Sequence, residues 1–299
     1  MKKIKKIMVP ASSANLGSGF DSIGLCLDLW NAIEFHKSKF KISISGEGKE
    51  TINKDKNNLI YQSYLKTSEI LNKELIDLSI NCINSIPISG GLGSSSSAVI
   101  AGIMIAFSIH QIEIDKNKIY QIASQIEGHP DNVGPAIFGG ITIGFKEKNN
   151  WHINQIPFSK DLKIVSFVSK QKILTEDSRK KLPDNISRKD AVYNISRVAT
   201  LVNSLNNSHY NNLKYSVQDA IHERYRIDSI KGFKLISDAA MNAGALATYL
   251  SGSGPTISAI TNNKELTINY EMLEAAARLD VDGKGFINNV SYKGAHIIE

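Results

Sequence analysis

Cysteine is nearly absent from this 299-residue chain, which carries only Cys26 and Cys82. Two thiols cannot build a disulfide scaffold, and they suit a reducing compartment in which both are small packed side chains. Long apolar runs are missing too. The longest mainly apolar stretch, Ala98 to Phe107, is far short of the roughly 20 residues that span a bilayer. The basic opening Met1-Lys2-Lys3-Ile4-Lys5-Lys6 is not followed by the apolar stretch and cleavage site of a signal peptide. A cytoplasmic protein with no membrane partner is therefore expected. Clustered charge is also lacking. Lys and Arg number 35 against 29 Asp and Glu, a net +6, yet beyond Lys2–Lys6 the basic residues are scattered. With no basic stretch interleaved with aromatics, the pattern argues against nucleic acid and leaves a small anionic ligand as the partner to look for. No repeat or low-complexity segment occurs. At 42% apolar and 21% charged residues, the composition is globular, and the length suits one large domain or two modest ones sharing an interface.

Along the chain, Ile4–Val9 reads as a strand ended by Pro10, because proline cannot donate to a ladder. Alternation at Ile33–Phe35, Phe40–Ile44 and Leu78–Ile83 predicts further strands, with Gly46-Glu47-Gly48 as a turn. Helical spacing marks Asn57–Leu75 and Ser95–Ile109. A strand is expected at Gly139–Gly144, and Trp151–Pro157 is expected near a domain junction. In the second half, Leu162–Val168, Leu246–Leu250 and Thr256–Ile260 read as strands, and Ile236–Ala243 as a helix stopped by Gly244. Arg188–Leu205 reads as an amphipathic helix behind Ser187, with Ala191, Val192, Ile195, Val198, Ala199, Val202 and Leu205 on one stripe. The irregular alternation of strands and helices favours an α+β fold in two domains, 1–155 and 156–299.

Three glycine-rich segments carry the chemistry. In Pro87-Ile88-Ser89-Gly90-Gly91-Leu92-Gly93-Ser94-Ser95-Ser96-Ser97, glycines let backbone approach a ligand and four hydroxyls sit in the first turn of a helix. Free amides, a positive helix end and oxygen ligands are what a polyphosphate needs. The alternative is an ordinary serine-capped helix, but three glycines and four serines exceed what a cap requires. The loop lacks the lysine of a Walker A motif and does not have the glycine spacing of a dinucleotide fold or the Gly-x-Ser-x-Gly of a nucleophile elbow. The second segment, Pro10-Ala11-Ser12-Ser13-Ala14-Asn15-Leu16-Gly17-Ser18-Gly19-Phe20-Asp21, places Asn15 and Asp21 in a turn after a strand, where they either grip a substrate or form the turn. The third is Leu250-Ser251-Gly252-Ser253-Gly254-Pro255-Thr256. The similar character of all three suggests that both domains face one site. His36, His110, His152, His209, His222 and His296 show no metal-ligand spacing, and Trp30 and Trp151 read as packing residues.

These segments, in this order, resemble the GHMP kinases, a family of small-molecule kinases, over essentially the whole chain. The most specific piece is Glu127-Gly128-His129-Pro130-Asp131-Asn132-Val133-Gly134-Pro135-Ala136. Ser18 and Gly90 stand where the family pattern has Pro and Arg. The resemblance implies an N-terminal ribosomal-protein-S5-domain-2-like domain, a ferredoxin-like C-terminal domain, and a homodimer. Within the family the likeness is greatest to members that phosphorylate L-homoserine, which implies transfer of the ATP γ-phosphoryl group to its side-chain hydroxyl for threonine biosynthesis. The implied roles are phosphate binding for Pro87 to Ser97, Mg²⁺ ligation for Ser95 and Glu127, and carboxylate binding for Arg179 and Arg226. Asn15, Asp21 and Asn132 are candidates for the ammonium, with His129 nearby. Asp131 and Asn132 fall in the catalytic region. Asn132 occupies the slot of a relative's catalytic Asp, and an amide cannot be a base. Either Asp131 takes the hydroxyl proton, or the proton passes to the γ-phosphate itself; the second is preferred. The competing readings are another kinase of the family, of the mevalonate-pathway type, and a nucleotide-binding sensor without catalysis.

Overall fold

A computed structural model describes residues 4–298, so Met1–Lys3 of the basic opening lie outside the described residues. The first half runs through β1 (Lys5–Ala14), β2 (Ile23–Lys37), β3 (Lys41–Gly46), α1 (Leu59–Ile70), β4 (Leu78–Asn84), α2 (Ser94–Ile109), α3 (Lys116–Glu127), α4 (Val133–Phe138), β5 (Ile141–Glu147) and β6 (Asn150–Ile156). The second runs through β7 (Lys163–Ser169), α5 (Thr175–Lys180), α6 (Arg188–Asn206), α7 (Leu213–Ser216), α8 (Glu223–Arg226), α9 (Phe233–Asn242), β8 (Ala247–Leu250), β9 (Ile257–Thr261), α10 (Glu265–Ala277), β10 (Gly283–Asn289) and β11 (His296–Ile298). Among the described residues, no helix is long and apolar enough to cross a membrane.

Two sheets organise these elements. The first has the order β11-β1-β2-β4-β3, with β5 also on β2 and β6 on β5. Strand β2 joins these partners because it is 15 residues long: its start pairs with β5 and its end with β4. The second sheet is antiparallel, in the order β10-β7-β9-β8. Helix α2 lies buried against the first sheet, its Val99, Ile100, Ile103 and Phe107 sharing a core with Ile7, Ile33, Phe35 and Ile80. Helices α9 and α10 cover the second sheet through Ile236, Ala240, Ile268 and Met272. A further cluster joins the two halves, since Leu25, Leu92, Ile164 and Tyr249 belong to one core.

Two expectations change. Strand β1 does not stop at Pro10. It continues to Ala14, with its register against β2 shifting between Pro10 and Ala11, so the proline sits at an irregularity where no ladder donor is needed. The extension carries β1 into the site. On α6, the stripe splits: Val192 and Ile195 are 59% and 65% exposed, whereas Val198, Val202 and Leu205 pack in the core that joins the two halves, and Asn194 is buried. Polar contacts set that split, because Asn194 Nδ2 donates to the Ser18 carbonyl and its Oδ1 accepts from the Ala220 amide. A buried amide left without those partners would cost more than one exposed aliphatic face recovers.

Candidate active site

The three glycine-rich segments touch one another. The Ser12 amide donates to the Leu92 carbonyl, the Gly252 amide to the Ala14 carbonyl, and Asn15 Nδ2 to the Gly252 carbonyl. A buried hydroxyl relay links the two halves. Ser251 donates to the Gly91 carbonyl (2.6 Å), which leaves it to accept from Ser13 (2.7 Å), and Ser13 in turn accepts from Tyr249 (2.9 Å). Glycine is required where the loop of residues 87–97 is clamped. A Cβ on Gly93 would lie 2.2 Å from Ser12 Oγ, and one on Gly91 would lie 2.3 Å from the Ser251 carbonyl, with φ positive at both (+71° and +78°).

Gly93 is the N-cap of α2, and no side chain caps that end. The serines are therefore not acting as an ordinary cap, and the first-turn amides keep their donor capacity. Ser95 and Ser96 instead donate to the two oxygens of Glu127, at 3.1 and 2.6 Å. Glu127 is the last residue of α3, a helix end that disfavours negative charge. Its place there serves the loop rather than the helix. Loop and helix start line a cleft of about 510 Å³ through Ile88–Gly91 and Gly93–Ser97. Pro87 and Leu92 do not line it; both are buried, and Leu92 is in the core between the sheets.

Beyond the loop the cleft becomes charged. Arg179 on α5 makes a bidentate pair with Asp21, at 2.7 and 2.8 Å. Asn15 is committed to shaping this corner: its Oδ1 accepts from the Asp21 amide while its Nδ2 holds Gly252. Arg226, only 3% exposed, donates through Nη1 to the Gly252 carbonyl and to His222 Nδ1, both at 3.1 Å. Burial, assisted by the charge of Arg179, lowers its pKa to about 10. His129 Nδ1 lies 2.6 Å from Asp131 Oδ1, which also accepts from the Asn132 amide. Burial opposes the imidazolium, but the hydrogen bond and charge of Asp131, helped by Glu127 and Asp21, outweigh it and raise His129 to about 9. Asn132 accepts from Ser12 through Oδ1 at 3.0 Å. Thus Asn15, Asp21, His129, Asp131, Asn132, Arg179 and Arg226 are gathered in the same cleft as Ser95 and Glu127.

Some contributors were not legible. Phe20 lies against both arginines, 5.6 Å from the Arg179 guanidinium and 5.3 Å from that of Arg226, and it stacks on His222 at 4.9 Å. The other end of the cleft is apolar, with Ile33, Ile44, Ile52, Ile60 and Cys82 beside Asn58. No local motif marks the apolar residues, because Ile33, Ile44, Ile60 and Cys82 come from β2, β3, α1 and β4 and Ile52 from the connection after β3.

This architecture, two sheets with a glycine- and serine-rich loop at the start of a buried helix and a charged corner in the same cleft, has clear relatives. Residues 58–140 match the GHMP kinases N terminal domain and residues 191–269 the GHMP kinases C terminal region. The chain belongs to the GHMP kinases. More particularly, it is 35% identical to the homoserine kinase of Petrotoga mobilis, over 98% of this chain and 96% of that one. It is 33% identical to the homoserine kinase of Carboxydothermus hydrogenoformans, over 96% and 98%. The crystal structure of homoserine kinase from Cytophaga hutchinsonii superposes with a TM-score of 0.89 at 26% identity, covering 100% of this chain and 98% of that one.

Proposed function

We propose that the chain is a homoserine kinase, transferring the γ-phosphoryl group of ATP to the side-chain hydroxyl of L-homoserine to give O-phospho-L-homoserine for threonine biosynthesis. The charge pattern of the acceptor corner carries this reading. Asp21, paired with Arg179 across the cleft and close to the buried Arg226, offers one anionic and two cationic partners. A zwitterionic amino acid fits that set: its carboxylate takes the guanidinium forks and its ammonium takes Asp21.

In this reading residues 1–155 form the ATP-binding domain, to whose sheet the C-terminal strand β11 is added, and the chain from 156 up to that strand forms the partner domain, with the nucleotide lying along the loop. The free α2 amides and the Ser94 hydroxyl receive the phosphates, and the apolar end around Ile44, Ile52 and Ile60 takes the base. Ser95 and Glu127 would hold Mg²⁺: a hydroxyl and a carboxylate already converge within 3.1 Å, a hard-oxygen pair suited to that ion. When bound, Mg²⁺ supplies charge neutralisation at the transferring phosphates. The protein's own task is then positioning. Asp131 spends its Oδ1 on His129 and the Asn132 amide, and His129 is held as the imidazolium at neutral pH, a pairing that makes Asp131 the counter-ion of His129 rather than a base. The hydroxyl proton passes to the γ-phosphate, as a loose transition state allows. A cytoplasmic homodimer completes the proposal, and light scattering after gel filtration reads its mass. The functional test is ADP release from MgATP with homoserine, mevalonate or galactose as acceptor. Turnover is expected with homoserine, and turnover with mevalonate or galactose in its place, or with none of the three, refutes the assignment.

A further inference from the structure

Arg226 is held in an unusual way. Its Nη1 spends both hydrogens inside the protein, on the Gly252 carbonyl and on His222 Nδ1. Its Nε is buried with no protein partner. In a guanidinium, Nε–H and one Nη2–H project from the same edge, the edge that grips a carboxylate side-on. Nη1 is thus the anchored corner and the Nε/Nη2 edge is the one left for a ligand in the cleft that Arg226 lines.

The anchor dictates a proton position on His222. Its Nε2 lies 2.8 Å from the Gly17 carbonyl, an acceptor only, so Nε2 carries the hydrogen. Nδ1 can then accept from Arg226 only if the imidazole is neutral. His222 is fully buried and faces Asp219 (3.9 Å), Arg226 and, farther off, Asp21. Burial lowers its pKa and Arg226 adds to that, outweighing the opposing charge of Asp219. Its backbone is pinned as well, because Asp219 Oδ2 accepts from the amides of Ile221, His222 and Glu223 at 3.0, 2.7 and 2.7 Å. Phe20, stacked on the imidazole and lying against the Arg226 guanidinium, leaves little room for the ring to turn.

We propose that His222, as its neutral Nε2–H tautomer, is a positioning residue that turns the Nε/Nη2 edge of Arg226 toward the substrate carboxylate. This rests on the reading of Arg226 as a carboxylate clamp. Asparagine places its Oδ1 near the former Nδ1 and can still accept from Arg226, whereas glutamine mimics the Nε2 side and loses that acceptor. His222→Gln is therefore expected to raise the homoserine KM about tenfold or more, the cost of a hydrogen bond to a charged group. KM for ATP and kcat should stay within about threefold, and His222→Asn should recover most of the loss. In an Arg226→Ala background the Gln change should have no further effect on that KM. Equal effects of Asn and Gln, or an undiminished Gln effect without Arg226, overturn the proposal. If Arg226→Ala leaves the homoserine KM unchanged, the clamp reading itself fails, and this inference with it. Nitrogen-15 spectroscopy of the wild-type protein needs no variant to fold. A proton on Nε2 alone is expected, and one on Nδ1 overturns the proposal.

Discussion

Asp131→Asn separates a catalytic base from an electrostatic support. In the structure Asp131 is 3% exposed and His129 16%, and the imidazole pKa is lifted from 6.5 to about 9 against the opposing effect of burial. That lift corresponds to about 3 kcal/mol of preference for the imidazolium in the folded state. The folded-state pKa is raised, so the stabilisation is fully present below about pH 6.5 and is lost as pH rises through about 9. The variant should lose on the order of 2–3 kcal/mol of unfolding free energy in urea at pH 6, and the difference from wild type should shrink above pH 9. Activity should respond differently from the loss of a base, which is worth about 10²–10⁴ in rate. With ADP release followed at saturating MgATP and homoserine, kcat should fall less than about tenfold, while the homoserine KM rises as His129 loses its orientation. A fall in kcat of about 10³ or more at unchanged KM would refute the reasoning and make Asp131 the base.

Glu127→Gln keeps the shape beside Ser95 and Ser96 but removes the charge; kcat should fall about 10²-fold and the Mg²⁺ concentration for half-activity should rise, as titration at fixed ATP would read. Gly93→Ala places a methyl against Ser12 Oγ at positive φ, so the KM for ATP should rise about tenfold or more with a lowered Tm, and unchanged kinetics would count against the loop geometry. Tyr64→Phe, away from the site, removes a hydroxyl that donates to the Ile76 carbonyl and accepts from the Ile76 amide; a loss of about 1–3 kcal/mol by urea unfolding is expected, with activity unchanged at 25 °C.

Much of the loop end of the cleft was readable because it is contiguous. The glycines, the serines and the helix start of residues 87–97 are local in sequence, and local chemistry determined that a strand would deliver a loop into a helix with free amides. The same holds for the period-2 and period-3.6 elements, whose placement needs only neighbouring residues. Errors arose where long-range partners decide. Proline stops a strand only if a donor is required at its position, and the register shift at Pro10 removes that requirement. Hydrophobic periodicity on α6 marked Val198, Val202 and Leu205 correctly but missed the outward turn of Val192 and Ile195, because the burial of Asn194 depends on Ser18 and Ala220, outside the helix.

By itself the sequence determined the glycine- and serine-rich loop of residues 87–97, the elements flanking it and, through resemblance, the residue types of the charged corner. Only the tertiary structure decided how those residues are spent. Arg179 on Asp21, Arg226 on the Gly252 carbonyl, Ser12 on Asn132 and Phe20 between the arginines join residues far apart along the chain. Which hydrogen bonds a side chain makes depends on what folding brings within about 3 Å of it, and sequence spacing carries that information only inside a single turn of helix or loop.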